Sequence, residues 1–193
     1  KYCNLVAINE NLIDKIHLEK KSRIKSYFYH LHPKVTGETS KSKIIRLKKI
    51  LKKQKIDNLF VSAPENVAWL LNLRGTDNPN SPIPNSKLII SKKKIILFSD
   101  FNKIKIIRKL KIYKKINFKK YNHFSTTLDK LDGTNFCIDG NTCSINYKSL
   151  IKSKFKISNI VDPCYELKAI KNKIELSNTK KVHIYDGVAL TKF

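Results

Sequence analysis

Ser62-Ala63-Pro64-Glu65-Asn66-Val67-Ala68-Trp69-Leu70-Leu71-Asn72-Leu73-Arg74-Gly75-Thr76-Asp77-Asn78-Pro79 is the stretch whose local chemistry decides the fold. Just before it, Leu59-Phe60-Val61 is a short apolar run of the kind that makes a buried strand. Pro64-Glu65 then supplies a helix start, with Pro fitting the first helical position and Glu facing the positive end of the helix dipole. Asn66 to Leu71 reads as a short apolar helix. From Asn72 the chain turns polar and holds an Arg, a Gly and an Asp within a few residues. A buried strand passing directly into a helix is the repeating unit of a layered α/β fold.

The flanks extend that unit. Upstream, Ser40 is a good N-cap, and Ile44, Ile45, Leu47, Ile50, Leu51 and Ile56 recur among lysines at helical spacing, predicting a helix whose opposite face, with Arg46, is solvated. Downstream, Leu88-Ile89-Ile90 and Ile95-Ile96-Leu97-Phe98 flank Ser91-Lys92-Lys93-Lys94 and predict a hairpin. The pattern then predicts a helix over 102–110, a strand over 112–118, a helix over 124–131, a strand over 136–139, a helix over 144–151 and a strand over 155–161. The expected domain is α/β, with a mixed β-sheet and flanking helices, over residues 38–161. Residues 1–37 carry short apolar pieces such as Leu5-Val6-Ala7-Ile8 without a strong period, and read as the tail of a preceding domain and its linker. After Asp162-Pro163 a helical pattern from Leu167 to Leu190 opens a third unit over 162–193.

Composition bounds the function. The formal charge of +25 is large, and such charge ordinarily points to a polyanion. Only Arg23, Arg46, Arg74 and Arg108 among the 40 basic residues are arginine, however, and the lysines are spread over the whole chain. Nucleic-acid sites favour the forked guanidinium for bidentate contacts, so the charge reads as background composition. Lysines interrupt every apolar run before it reaches membrane-spanning length, predicting a soluble protein with no membrane partner. Cys3, Cys137, Cys143 and Cys164 lack CxxC spacing and predict reduced thiols in a cytoplasmic protein. The chain starts at Lys1 and contains no Met, which reads as an internal fragment.

Few residues invite a chemical role. His30-Leu31-His32, and His183 with Asp186, are too few and too mixed for a metal centre without a third partner. Cys137 and Cys143 read as small core thiols rather than a redox pair, and Trp69 as core packing on a short helix. The loop with Asn72, Arg74 and Asp77 differs in kind. It combines a donor fork, a permissive glycine and a carboxylate, and reads either as a rim element of a substrate site or domain interface, or as a loop pinned only for its own sake. Arg74 stands where Lys is the default cation, with Asp77 or a carboxylate elsewhere as its expected partner.

Two segments carry a family resemblance. Ser62 to Pro79 resembles the strand, helix and "WLLN-x-RG-x-D-x-P" loop of the second domain in three-domain aminopeptidases P. Asp162-Pro163-Cys164, then Leu167-Lys168-Ala169-Ile170-Lys171-Asn172, Glu175-Leu176 and His183-Ile184-Tyr185-Asp186-Gly187, resembles the entry into that family's pita-bread catalytic domain. Lys180 stands where the family carries Arg, and Val182 where it carries Ala.

The resemblance implies a creatinase/prolidase N-terminal-like domain followed by the first helices of a truncated pita-bread domain. It implies a parent hydrolase, a Xaa-Pro aminopeptidase that removes the first residue from peptides with proline second. Such metallopeptidases use two divalent metal ions, usually manganese, held by Asp, Asp, His, Glu and Glu, and work as homodimers. All five ligands are expected beyond residue 193, so no catalytic or metal-ligating residue is expected in this chain, which would serve as scaffold and substrate-access domain. The alternative is a non-catalytic binding or interaction module with a basic surface.

If the charge is compositional, binding to duplex DNA should be weak, indifferent to sequence and largely lost by physiological salt, as counterion competition requires. A salt titration by fluorescence anisotropy checks this, and tight sequence-selective binding at that salt would contradict it.

Overall fold

Strand residues of alternating parity face two different cores, and this builds the sheet. In the computed structural model, which describes residues 3, 6, 8, 12–16 and 26–193, the chain order begins with α1 (Leu12–Ile16), β1 (Phe28–His30), α2 (Pro33–Thr36), α3 (Ser40–Lys53) and β2 (Asn58–Val61). It continues with α4 (Pro64–Leu71), β3 (Leu73–Gly75), β4 (Lys87–Ser91), β5 (Ile95–Phe98), α5 (Lys105–Arg108) and β6 (Asn117–Lys119). The remaining elements are α6 (Phe124–Leu128), β7 (Asn135–Ile138), α7 (Ile145–Lys152), β8 (Lys156–Asn159), α8 (Cys164–Ala169) and α9 (Lys173–Lys192). Leu5 and Ala7 of the apolar piece near the start lie outside the described residues.

Six strands form one mixed sheet in the order β6-β5-β4-β2-β7-β8. The β2–β4 and β4–β5 pairs are antiparallel, and the β5–β6, β2–β7 and β7–β8 pairs are parallel. Leu59 and Val61 of β2, Leu88 and Ile90 of β4, Leu97 of β5 and Cys137 of β7 point into one core, which α3 and α4 cover. Phe60, Ile89, Ile96, Phe98, Phe136 and Ile138 point into the other, with Phe124 and Leu128 of α6 and Ile151 of α7. Register keeps the two sets apart: Leu59 lies opposite Ile90 on one side and Cys137 on the other, as the period of two demands. The mixed sheet, the hairpin and the helices at α3, α4, α6 and α7 agree with the sequence.

Three elements differ. The helix expected over 102–110 is reduced to α5, because the Lys103 carbonyl accepts from Phe28 N–H at 2.9 Å and is lost to a helix. The strand expected over 112–118 starts only at Asn117, since Lys111–Tyr113 turns as a 3-10 helix and buries the Tyr113 ring. Within the stretch read as a tail and linker, β1 pairs antiparallel with β3, Tyr29 opposite Arg74, and Phe28 is wholly buried.

The last helix is attached by polar groups. In α9 the partly covered positions are Glu175 and Asn178, following the N-cap Asn172 at intervals of three, while Ile174, Leu176, Val182, Ile184, Val188 and Leu190 are exposed. Asn172 Oδ1 accepts from Ile174 and Glu175 N–H at 3.0 Å each, and Glu175 Oε2 accepts from Asn172 N–H in return, a full capping box. Asn172 Nδ2 also donates to Thr36 O at 2.8 Å and Asn178 Nδ2 to Val35 O at 3.0 Å. Gly37, at φ +72°, lies so close beneath Asn172 that a Cβ there would collide with its side chain.

Asn172→Ala removes two capping bonds and the tie to Thr36, and should lower stability by roughly 1–2 kcal/mol. Urea unfolding followed at Trp69, whose indole faces Glu175 of the capped turn, measures this; an unchanged midpoint would contradict the fastening.

Candidate functional site

The α4 helix places the candidate loop. Asn72 ends it as a left-handed C-cap, φ 53° and ψ 38°, with its N–H returned to the Ala68 and Trp69 carbonyls. That conformation is tolerated by Asn better than by most residues. The side chain is then fully used: Oδ1 accepts from Lys43 Nζ at 2.8 Å and Nδ2 donates to Glu38 O at 2.8 Å. Asn72 is 1% exposed, so within this chain its side chain is an internal bridge.

Arg74 follows on β3, half-buried. Its Nη1 donates to Leu73 O at 2.8 Å and Ala68 O at 3.5 Å, and burial pulls the guanidinium below its ordinary pKa. Arg74 and Asp77 do not pair. Asp77 instead forms an ion pair with Lys103, accepts from Ser26 Oγ at 3.1 Å and accepts from Asn85 N–H at 2.9 Å. The carboxylate therefore closes the 77–85 loop. Backbone freedom expected at Gly75 is used at Asn72, and Gly75 serves close approach: a Cβ there would sit 2.8 Å from Pro84 Cα.

A cleft of about 480 Å³ opens beside Arg74, between α4, the 81–83 segment and the start of α9. Trp69, Ala68, Pro82 and Ile83 give it apolar wall, and Glu65, Lys168, Lys171 and Glu175 ring it with charge. Most of those charges are engaged. Glu65 Oε1 accepts from Tyr165 OH at 2.9 Å, Lys168 Nζ donates to Asn66 Oδ1 at 2.7 Å, and Glu175 Oε1 faces Trp69 Nε1 at 3.4 Å. Burial, with the bond to Glu65, raises the Tyr165 hydroxyl to about 12. Asn66 also donates to Asp162 Oδ2 at 2.8 Å, and burial raises that carboxyl above the usual range.

The other sequence candidates have local duties. His30 Nδ1 lies 2.7 Å from Tyr113 OH; that hydroxyl donates to Leu71 O at 2.8 Å, so His30 is the donor at Nδ1. His32 Nδ1 accepts from Lys34 N–H and caps α2. His183 and Asp186 lie on the exposed part of α9. Among the described residues no group of three or more His, Cys, Asp or Glu could hold a metal ion. Cys3, Cys137, Cys143 and Cys164 are free thiols, and burial raises the pKa of the last three. Arg46, expected on an idle face, grips Glu38 with Nε at 3.1 Å and Nη2 at 2.7 Å, a forked pair.

A family model described as "Creatinase/Prolidase N-terminal domain" matches residues 19–175. The chain belongs to that family. The "Probable Xaa-Pro aminopeptidase P" of Laccaria bicolor is 33% identical over 202 residues, covering 100% of this chain and 31% of the relative. The "Xaa-Pro aminopeptidase 1" of Dictyostelium discoideum is 33% identical, covering 95% and 30%. The chain thus spans about a third of the length of these relatives. Among solved structures, the X-prolyl aminopeptidase of Caenorhabditis elegans, described as a cytosolic enzyme with a di-nuclear active site, superposes with a TM-score of 0.80 at 23% identity, over 97% of this chain and 32% of that one. The Xaa-Pro dipeptidase of Bacillus anthracis shares the fold over 72% of this chain and 38% of that one, with a TM-score of 0.54 at 17% identity.

In this creatinase/prolidase N-terminal domain the residue that sequence reasoning missed is Lys43. It is 1% exposed, with Nζ donating to Trp69 O at 2.9 Å and to Asn72 Oδ1, and lying 4.3 Å from the Trp69 ring centroid. The signal was present: Lys43 lies one helical turn before Leu47 and two before Leu51, on the buried stripe of α3. Burial pulls its ammonium down to about 8, against the opposing pull of Glu175 and Glu38.

Between pH 8 and its ordinary 10.5, Lys43 binds fewer protons in the folded chain than in the unfolded one, so its contribution to stability rises with pH there. Buried Cys137, raised to about 12, acts in the opposite direction but is common to wild type and Lys43→Met. Wild type should therefore gain on Lys43→Met as pH rises from 8 to 10, with a slope approaching about 1.4 kcal/mol per pH unit. Urea unfolding of both proteins across that range measures the gap, and a pH-independent gap would contradict it.

Proposed function

We propose that this chain is the scaffold and substrate-access part of a Xaa-Pro aminopeptidase, a hydrolase that removes the first residue of peptides with proline in second position. The observation that carries this reading is the match of almost the whole chain, at 33% identity, to Xaa-Pro aminopeptidases about three times its length. The shared fold with the worm X-prolyl aminopeptidase supports it.

On this reading residues 162–193 begin the catalytic domain, and the two divalent metals, manganese by preference, are held by parts of the parent outside this chain. The donor set of the described residues does not fit a two-metal centre: His30, His32, Asp139 and Asp162 already serve internal hydrogen bonds. When bound, such metals polarise the scissile carbonyl and supply hydroxide. This chain's residues shape the approach. Asn72 and Asp77 hold the loop that presents Arg74 to the cleft, where Arg74 meets substrate or the catalytic domain. The parent is cytoplasmic and homodimeric; the free cysteines and the cytosolic worm neighbour support the compartment.

A second reading, a binding module with a basic surface, draws on a hollow of about 510 Å³ floored by Leu51 and Ile56 and edged by Lys48, Lys52, Lys55 and Lys92.

The 193-residue chain with manganese should not hydrolyse a Xaa-Pro tripeptide, whereas the parent polypeptide should, and Arg74→Lys in the parent should lower kcat/KM roughly tenfold, about 1.4 kcal/mol. Steady-state assays of the three proteins decide this. Turnover by the chain alone, or an inert parent, would overturn the reading.

A further inference from the structure

The cleft beside Arg74 contains an unsatisfied recognition group. Nη1 is committed to the Leu73 and Ala68 carbonyls, while Nε and Nη2 have no hydrogen-bond partner among the described residues. The bond from Nη1 to the Leu73 carbonyl anchors one corner of the guanidinium, and Arg74 lines the cleft with its other donors free. Partial burial strengthens any interaction made there, because solvent competes less for the charge. In a protein that uses lysine almost everywhere, a planar cation is retained where a planar partner is to be met.

We infer that this cleft binds a carboxylate ligand carrying a small apolar group, the carboxylate accepting from the Arg74 Nε/Nη2 edge and the apolar group lying on Ala68, Pro82 and Ile83. Two parallel N–H···O bonds match the geometry of a carboxylate. Competing anions within the site are occupied: Glu65 holds Tyr165, and Glu175 is committed to Trp69 and the Asn172 N–H. Asp77, the one carboxylate near in sequence, is taken by Lys103. The cleft volume, about 480 Å³, lies within the range of small-ligand pockets, roughly 300–1,000 Å³. This deepens the reading of Arg74 as a rim residue. It is tested by binding to the 193-residue chain alone, so its failure is separate from any failure of the peptidase reading.

Trp69 is the single tryptophan of the sequence and stands in the cleft wall, so its fluorescence reports occupancy. The experiment titrates the chain with N-acetyl-leucine, with N-acetyl-leucinamide and with inorganic phosphate, at matched ionic strength. N-acetyl-leucine should give a saturable change with millimolar affinity, and the amide, lacking the charge, none. Arg74→Lys, checked for native near-UV circular dichroism, should weaken N-acetyl-leucine about tenfold, since an ammonium cannot offer the paired donors. Equal response to acid and amide, tighter binding of phosphate, or no saturable change with the acid would each overturn the inference. Binding by this chain that disappears in the parent polypeptide would reassign the cleft to an acidic segment of the parent and overturn a free ligand.

Discussion

Asn72 sits where three parts of the chain must agree. Its backbone ends α4 in the left-handed region, and its carbonyl accepts from Leu31 N–H at 2.8 Å, continuing the β1–β3 ladder. Its side chain joins the α3 lysine to the residue preceding α3's cap. Removing any one of these would leave a buried polar group without a partner, which costs more than the hydrogen bond itself contributes. Lys43 is tolerated in the interior because Asn72 Oδ1 and the Trp69 carbonyl converge on it, the indole face lies against its charge and Glu175 and Glu38 favour that charge. The position of Arg74, two residues further on, follows from this arrangement.

Polar groups also hold the segment after the sheet. Lys168 to Asn66, Asn66 to Asp162 and Tyr165 to Glu65 tie α8 to the first turn of α4, and Asp139 receives Asp162 N–H at 3.0 Å from the end of β7. Such bonds are directional, so they specify one docking orientation where apolar contact alone would permit several. Glu65, Asn66 and Trp69 on α4 thus find their side-chain partners among Asp162, Tyr165, Lys168 and Glu175.

This explains how much could be read in advance. The central strands were legible because they alternate strictly between two cores, and apolar runs of three or four residues show where they lie. The α4 start was legible from Pro64 and Glu65. What sequence could not show was pairing at a distance. Asp77 stands three residues from Arg74 yet bonds to Lys103; Arg46 looks like a solvated cation yet forks onto Glu38; β1 has no period of its own and exists because β3 offers it an edge. Lys43 was missed because composition supplies lysine everywhere, which hides the one that the helical stripe carries inward.

The attachment of α9 has a mechanical meaning. Asn172, Glu175 and Asn178 all act within its first two turns, and Asn178 makes the last side-chain hydrogen bond from the helix to the body among the described residues. Beyond that point the helix extends as a rigid rod by about 20 Å, at 1.5 Å per residue. A hinge at its base and a long arm make a lever. A tilt of about 10° at the Asn172 cap would move the far end, about 30 Å away, by roughly 5 Å on this geometry, while the cleft, which shares Glu175 with that cap, would feel only a fraction of an ångström. Force applied at the distant end would thus arrive at the Trp69 wall geared down in distance and amplified in strength.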